Sequence, residues 1–166
     1  ADVTLLAGSD LHVALDGADP RGQKITYTAR STRPLVSTFI PRGNQALIMN
    51  VAGFGRMVFQ LFNNRAPRPA GRISSLANQR FFDGVAFHRV INGFVIQGGD
   101  PTGTGSGGSA LGDFDDQFHP DLQHNRTGLL SMAKSGDDTN DSQFFITEGS
   151  ARHLDFNHSI FGLLIE

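Results

Sequence analysis

The run Phe87 to Asp100, FHRVINGFVIQGGD, concentrates the side chains of this chain best suited to chemistry. Arg89, Phe94 and Gln97 stand close together among aliphatic residues, with no evident structural need to do so. A guanidinium beside an apolar wall suits a ligand that is flat, uncharged and partly hydrophobic. Arginine keeps its charge at physiological pH and offers several N–H donors in one plane. The same residues have plainer readings. Phe94 alone is a core residue, Gln97 alone is a surface or structural amide, and Arg89 alone is a cap over an apolar strand edge.

Other chemistry is argued against by spacing. Gly103-Thr-Gly105-Ser-Gly-Gly108 matches GxGxxG, but Pro101 precedes it and ALGDFDDQFHPD follows without a helical period. A dinucleotide site needs that motif between a strand and a helix, so a flexible or tightly turned surface loop is expected. Asp113, Asp115 and Asp116 lack the glycine and bidentate glutamate of a calcium loop and read as a solvated acidic turn. None of the six His residues forms an HExxH pair. His88 alternates to the strand face opposite Arg89 and reads as a hydrogen-bonded structural histidine. The chain has no Cys, which removes thiolate sites and disulfides, and no G-x-S-x-G elbow. No metal and no cofactor is expected.

At 166 residues, 39% of them hydrophobic, the chain is long enough for one domain with a real core. With 14 Phe, one Tyr and no Trp, that core is expected to be packed largely by phenylalanine. A formal charge of −2 gives no electrostatic reason to expect nucleic acid or an anionic membrane as partner. No stretch approaches the roughly 20 apolar residues that span a bilayer.

The elements that must position Arg89 and its neighbours read as mostly β. Residues 1–44 contain the strand-like runs VTLLA, LHVAL and KITYTA, too short together for a sandwich of about 100 residues. They read as an extension, or as part of a cadherin- or immunoglobulin-like module. Residues 45–166 form the second unit. Ala46–Val51 and Met57–Phe62 suggest a hairpin. A short helix is expected after Pro67 and Pro69, through GRISSLANQRFF, ending at Asp83-Gly84. Phe87–Gln97 returns to a strand pattern, and residues 98–112 are loop. Gly128–Ala133 and Ser142–Thr147 are further strand candidates, and Ser159–Ile165 is a last apolar run. Many short strands with one helix indicate an all-β barrel or sandwich.

From about Gln45 to Glu166 the chain resembles the cyclophilin family of peptidyl-prolyl cis–trans isomerases. The resemblance is carried, in order, by MVFQLFNNRAP, FFDGVAFHRVINGFVIQGGDPTGTGSGG, GLLSMAKSGDDTNDSQFFIT and HLDFNHSIFG. It implies a closed antiparallel β-barrel capped by two helices, with a proline groove on the outside. It implies Arg89 as the catalytic arginine, with Phe94, Val95, Phe145 and Leu154 walling the proline pocket. Gln97, Ala133, Lys134 and Gln143 would contact the peptide, and His158 would close the pocket edge. Three positions depart from the family pattern. Val95 stands where Met is frequent, and Lys134 where Asn is frequent. His153 stands where many eukaryotic members carry a Trp that contacts cyclosporin, so weak cyclosporin binding with retained activity is expected.

The family continues beyond the equivalent of Glu166 with a second helix and the strand that completes the barrel. Both are expected to be absent here, leaving strand edges exposed. The chain, which opens with Ala1, is read as a trimmed product or a fragment of a longer protein. The resemblance implies isomerisation of X–Pro bonds in peptides and unfolded proteins. The alternative is a proline-peptide binding or surface interaction module with little turnover. The texture of residues 1–40 suggests a bacterial, extracytoplasmic setting.

Overall fold

The computed structural model describes residues 44–166. The strand-like extension expected over residues 1–44 therefore lies, but for its last residue, outside the described residues.

Seven strands form one antiparallel sheet. They are β1 (Ala46–Val51), β2 (Gly55–Leu61), β3 (Arg89–Ile91), β4 (Val95–Gly98), β5 (Leu129–Met132), β6 (Phe144–Thr147) and β7 (Ile160–Leu164). Their order is β1-β2-β7-β5-β6-β4-β3, so among the described residues the sheet is open, with β1 and β3 at its edges. One helix, α1 (Pro67–Asn78), caps it. The all-β reading holds.

The helix begins earlier than its periodicity suggested. Pro67 and Pro69 lie inside its first turn, where a missing N–H removes no intrahelical bond. Gln117 Oε1 accepts from the Arg68 N–H at 2.8 Å and so satisfies one of the free donors of that turn. Pro69, Ala70, Ile73 and Leu76 recur at helical spacing and are buried. The helix also ends before Asp83-Gly84. Arg80 takes a left-handed conformation, φ 60°. Its N–H then bonds Ala77 O, and the Phe81 N–H bonds Leu76 O. That is a Schellman stop, built here on an arginine rather than a glycine.

The expected single strand Phe87–Gln97 is in fact a hairpin. Ile91 pairs with Val95, and the chain reverses through Asn92, Gly93 and Phe94. Gly93 has φ 72°, and the Phe94 N–H bonds Ile91 O at 3.0 Å. The reversal brings Arg89 directly opposite Gln97.

The core is rich in phenylalanine, as composition suggests. Phe59 and Phe161 are fully buried, with Phe62 and Phe144 nearly so, packed with Ile73, Leu61, Leu130 and Met132. Phe82 and Phe87 meet Phe144 edge-on at 5.8 and 6.3 Å. The sheet is two-faced. Ile96 pairs with Ile146, and Ile146 with Leu130, and this row lies on the core side. The neighbouring row, one residue along each strand, must point the other way.

Candidate active site

That second row is Arg89, Gln97, Phe145 and Ser131, in register across β3, β4, β6 and β5. Four residues from distant parts of the chain thus share one face of the sheet, opposite the core. Phe145 is only 4% exposed, yet it stands outside the core cluster.

Polar side chains along this face form one hydrogen-bonded line. Arg89 Nη1 donates to Gln97 Oε1 at 3.3 Å. Gln97 Nε2 donates to Gln143 Oε1 at 3.0 Å. Gln143 Nε2 donates in turn to the carbonyls of Gly105 and Gly107, at 2.9 and 2.8 Å. Arg89 is exposed, and its other guanidinium N–H groups have no hydrogen-bond partner among the described residues. Its guanidinium carbon stands 5.9 Å from the centre of the Phe94 ring.

Apolar side chains flank the line. Phe94 stacks on His153 at 5.5 Å with 24° between the rings. Phe145 meets His158 edge-on at 5.5 Å. His158 Nδ1 donates to Met132 O at 2.9 Å, which fixes the ring beside Phe145. Burial pushes His158 below its ordinary pKa, and the Met132 carbonyl opposes that shift. Val95 is 2% exposed, on the same strand face as Gln97. Leu154 lies in a 3-10 turn (Arg152–Leu154) between His153 and His158 and is half-buried. The Ala133 N–H bonds Gln143 O at 3.0 Å, tying that corner to β6.

Lys134 is not brought to the groove by its side chain. Its Nζ binds Asp116 and Asp137, and the side chain is only 3% exposed. Burial favours the neutral amine, but Asp116 and Asp137 outweigh it and hold the Lys134 pKa above its usual value. This also corrects the reading of a solvated acidic turn at one of its three residues, since Asp113 and Asp115 are exposed but Asp116 is not. Asp116 is 9% exposed, paired with Lys134 and hydrogen-bonded by Asn140 at 2.9 Å. His88 is a second correction, because neither of its buried ring nitrogens has a hydrogen-bond partner among the described residues. No three His, Asp or Glu side chains among the described residues converge as a metal site.

The sequence reading missed the support under Phe145. His124, fully buried, stacks beneath that ring at 5.9 Å and 25°. Its Nδ1 lies 3.2 Å from Asp155 Oδ1 and its Nε2 lies 3.1 Å from Ser131 Oγ. Ser, His and Asp in contact suggest a hydrolase, but Ser131, although on the groove face of the sheet, is 0% exposed, its hydroxyl covered by His124 and closed off from solvent. The array is a buried prop. No local motif signals it, because its members come from three separate segments.

Phe156 closes the turn that carries His153 and Leu154. It holds φ 56° although it has a side chain, and it is 55% exposed, with an edge contact to Phe118 at 6.5 Å. A left-handed residue with a Cβ costs roughly 1–2 kcal/mol. Phe156→Gly relieves that strain but adds freedom to the unfolded chain. It is expected to stabilise the fold by about 0.5–1 kcal/mol, read as a higher urea midpoint at unchanged m. A lower midpoint would show that the Phe118–Phe156 contact outweighs the strain.

Comparison with known proteins agrees with this geometry. The family profile "Cyclophilin type peptidyl-prolyl cis-trans isomerase/CLD" matches residues 46–166. A peptidyl-prolyl cis-trans isomerase of Schizosaccharomyces pombe is 50% identical over 113 residues, covering 67% of this chain and 73% of the relative. Peptidyl-prolyl cis-trans isomerase A of Mycobacterium tuberculosis is 46% identical over 127 residues, covering 68% and 69%. The crystal structure of a Cryptosporidium parvum cyclophilin superposes with a TM-score of 0.71 at 40% identity, covering 74% of this chain and 78% of that one. With most of the described residues inside the match, and the register row of Arg89, Gln97 and Phe145 on its groove face, this chain belongs to the cyclophilin-type peptidyl-prolyl cis–trans isomerases.

Proposed function

We propose that the groove beside Arg89 binds proline-containing peptides and accelerates rotation about their X–Pro bonds, with Arg89 as the catalytic donor. The observation that carries this is the exposed Arg89 guanidinium, held by Gln97 next to Phe94 with its other N–H groups open. Uncatalysed isomerisation takes tens to hundreds of seconds. Its barrier of about 18–20 kcal/mol is mostly lost amide resonance. In the twisted transition state the prolyl nitrogen regains a lone pair, and a donor aimed there stabilises the twisted state more than the planar one. Arg89 supplies that donor. Phe94, Phe145, Val95 and Leu154 hold the pyrrolidine ring. Gln97, Gln143 and the backbone around Ala133 and Lys134 fix the peptide, and His158 bounds the pocket. A 10⁴-fold acceleration needs about 5.4 kcal/mol. One preorganised charged hydrogen bond gives about 3 kcal/mol, and positioning in the pocket supplies the remainder. A second structure of the Cryptosporidium parvum relative was solved in the presence of the dipeptide Ala-Pro, which supports this ligand class. The test is cis–trans exchange in an Ala-Pro peptide, followed by exchange spectroscopy. A folded chain that leaves the exchange rate unchanged overturns the assignment.

Weak cyclosporin binding is part of the same proposal. His153 is exposed and stacks on Phe94 as a small ring. An indole there offers more apolar area and its own N–H donor. His153→Trp is expected to tighten cyclosporin by about tenfold or more, equivalent to about 1.4 kcal/mol, with kcat/KM for the peptide unchanged. Equal affinity of the two proteins in a calorimetric titration would remove His153 as the cause. We also propose a bacterial, extracytoplasmic setting, supported by the sequence texture of residues 1–40, which cell fractionation tests directly.

A further inference from the structure

Asp100 lies at the far end of the line that holds Arg89. It is 1% exposed, and the groups that act on its carboxylate are hydrogen-bond donors rather than a cation. Backbone and hydroxyl donors surround it instead. Oδ1 accepts from the Thr102 N–H at 2.7 Å and from Thr102 Oγ1 at 2.8 Å. Oδ2 accepts from the N–H groups of Gly105 and Gly107 at 2.6 and 3.1 Å. Burial favours the protonated acid, but these donors outweigh it and hold the Asp100 carboxyl well below the usual carboxylate range. The glycine-rich segment is therefore wound around a buried anion. Gly107 has no room for a side chain, because a Cβ there would stand 2.1 Å from Asp100 Oδ1.

This winding turns the carbonyls of Gly105 and Gly107 towards Gln143, and that decides which way each amide faces. Two carbonyl acceptors require Gln143 to point Nε2 at them. Its Oε1 is then left for Gln97 Nε2. Gln97 must in turn point Oε1 at Arg89. If the loop carbonyls were lost, Gln143 and Gln97 could both flip, and an NH₂ group would then face the guanidinium and repel it. We propose that Asp100 is a positioning residue for Arg89, acting through the loop 100–107 and the amides of Gln143 and Gln97. This rests on the isomerase reading above and extends it to a residue that touches no substrate.

The test uses the whole chain and four proteins: wild type, Asp100→Asn, Arg89→Ala and the double variant. Asp100→Asn is expected to lower kcat/KM for the Ala-Pro peptide by about tenfold, mostly in kcat, since misplacing a catalytic group by a fraction of an ångström has effects of that order. The double variant is expected to match Arg89→Ala, because Asp100 acts only through Arg89. The side-chain amide signals of Gln97 and Gln143 and the guanidinium signals of Arg89 are expected to shift in Asp100→Asn. A folded Asp100→Asn protein with wild-type kcat/KM and unmoved Arg89 signals overturns the proposal. So does a double variant that falls a further tenfold below Arg89→Ala, because Asp100 would then act on the fold generally. If Asp100→Asn does not fold, Thr102→Val removes one donor to the same carboxylate. A loss of about threefold with shifted Arg89 signals is expected from it, and no change in either overturns the proposal. A folded wild type that fails to accelerate exchange overturns the isomerase reading alone, and the amide and guanidinium signals still decide the relay.

Discussion

Arg89→Ala is expected to lower kcat/KM for X–Pro isomerisation by about 10²–10³-fold, the usual effect of removing a donor that acts in the transition state. The loss is expected in kcat, with KM nearly unchanged, because a donor to the prolyl nitrogen gains strength only as the bond twists. Arg89 does little for the fold, since alanine forfeits only a hydrogen bond to Gln97 and a place beside the Phe94 ring, both at an exposed site. It is exposed, sits on the three-residue edge strand β3, and its one side-chain hydrogen bond among the described residues goes to Gln97. A large loss of activity in a variant with an unchanged unfolding midpoint would therefore identify chemistry rather than stability. Arg89→Lys keeps the charge but loses the planar fork, and is expected to recover less than about a tenth of the wild-type rate. The rival reading, a proline-peptide binding module with little turnover, predicts peptide affinity that survives both substitutions and no exchange catalysis in any of the three proteins.

The parts of this site that were legible in the sequence are those that lie close together along the chain. Arg89, Phe94 and Gln97 fall within nine residues, and the resemblance to the cyclophilin family extended the set to Gln143, Phe145, Leu154 and His158. What the sequence concealed is of two kinds. Local periodicity could not separate a strand from a hairpin across Arg89–Gln97, because Gly93 reverses the chain without breaking the apolar run. Nor could it show that Arg80, an ordinary helix former, takes the left-handed stop position. The second kind is burial of polar groups by long-range contact. Asp116 and Asp100 are acids in polar, glycine-rich text, yet each is enclosed by partners, Lys134 and Asn140 for Asp116 and the amides of its own loop for Asp100. His124, Ser131 and Asp155 meet only because β5 pairs alongside β6, which sets Ser131 opposite Phe145, and because the residue ending the 3-10 turn, Asp155, reaches His124.

Acid is expected to unfold this protein through His124, with stability falling by up to about 3 kcal/mol between pH 6.5 and 4. Burial holds His124 neutral and lowers its pKa to about 4, with the Asp155 carboxylate opposing the shift and the His158 and His153 rings adding to it. The unfolded chain takes up a proton near pH 6.5 and the folded chain does so only near 4. Below the higher value the unfolded state binds more protons, so stability declines as pH falls, with a slope approaching about 1.4 kcal/mol per pH unit. His158, also lowered, adds to the loss in the same direction. Asp155 works in a different window. Burial would raise it, but the His124 N–H, Arg152 and the His124 ring hold it below the usual carboxylate range, so its contribution is lost only as pH falls below about 4. His124→Gln is expected to lower the baseline stability and flatten the slope between pH 6.5 and 4 by nearly one proton, measured by urea unfolding across pH. A wild type with constant stability over that range, or an unchanged slope in the variant, would refute the role of His124. Because His124 props the ring of Phe145, kcat/KM should stay flat above pH 6.5 and fall below it with the folded fraction and with protonation of His158 at the pocket edge.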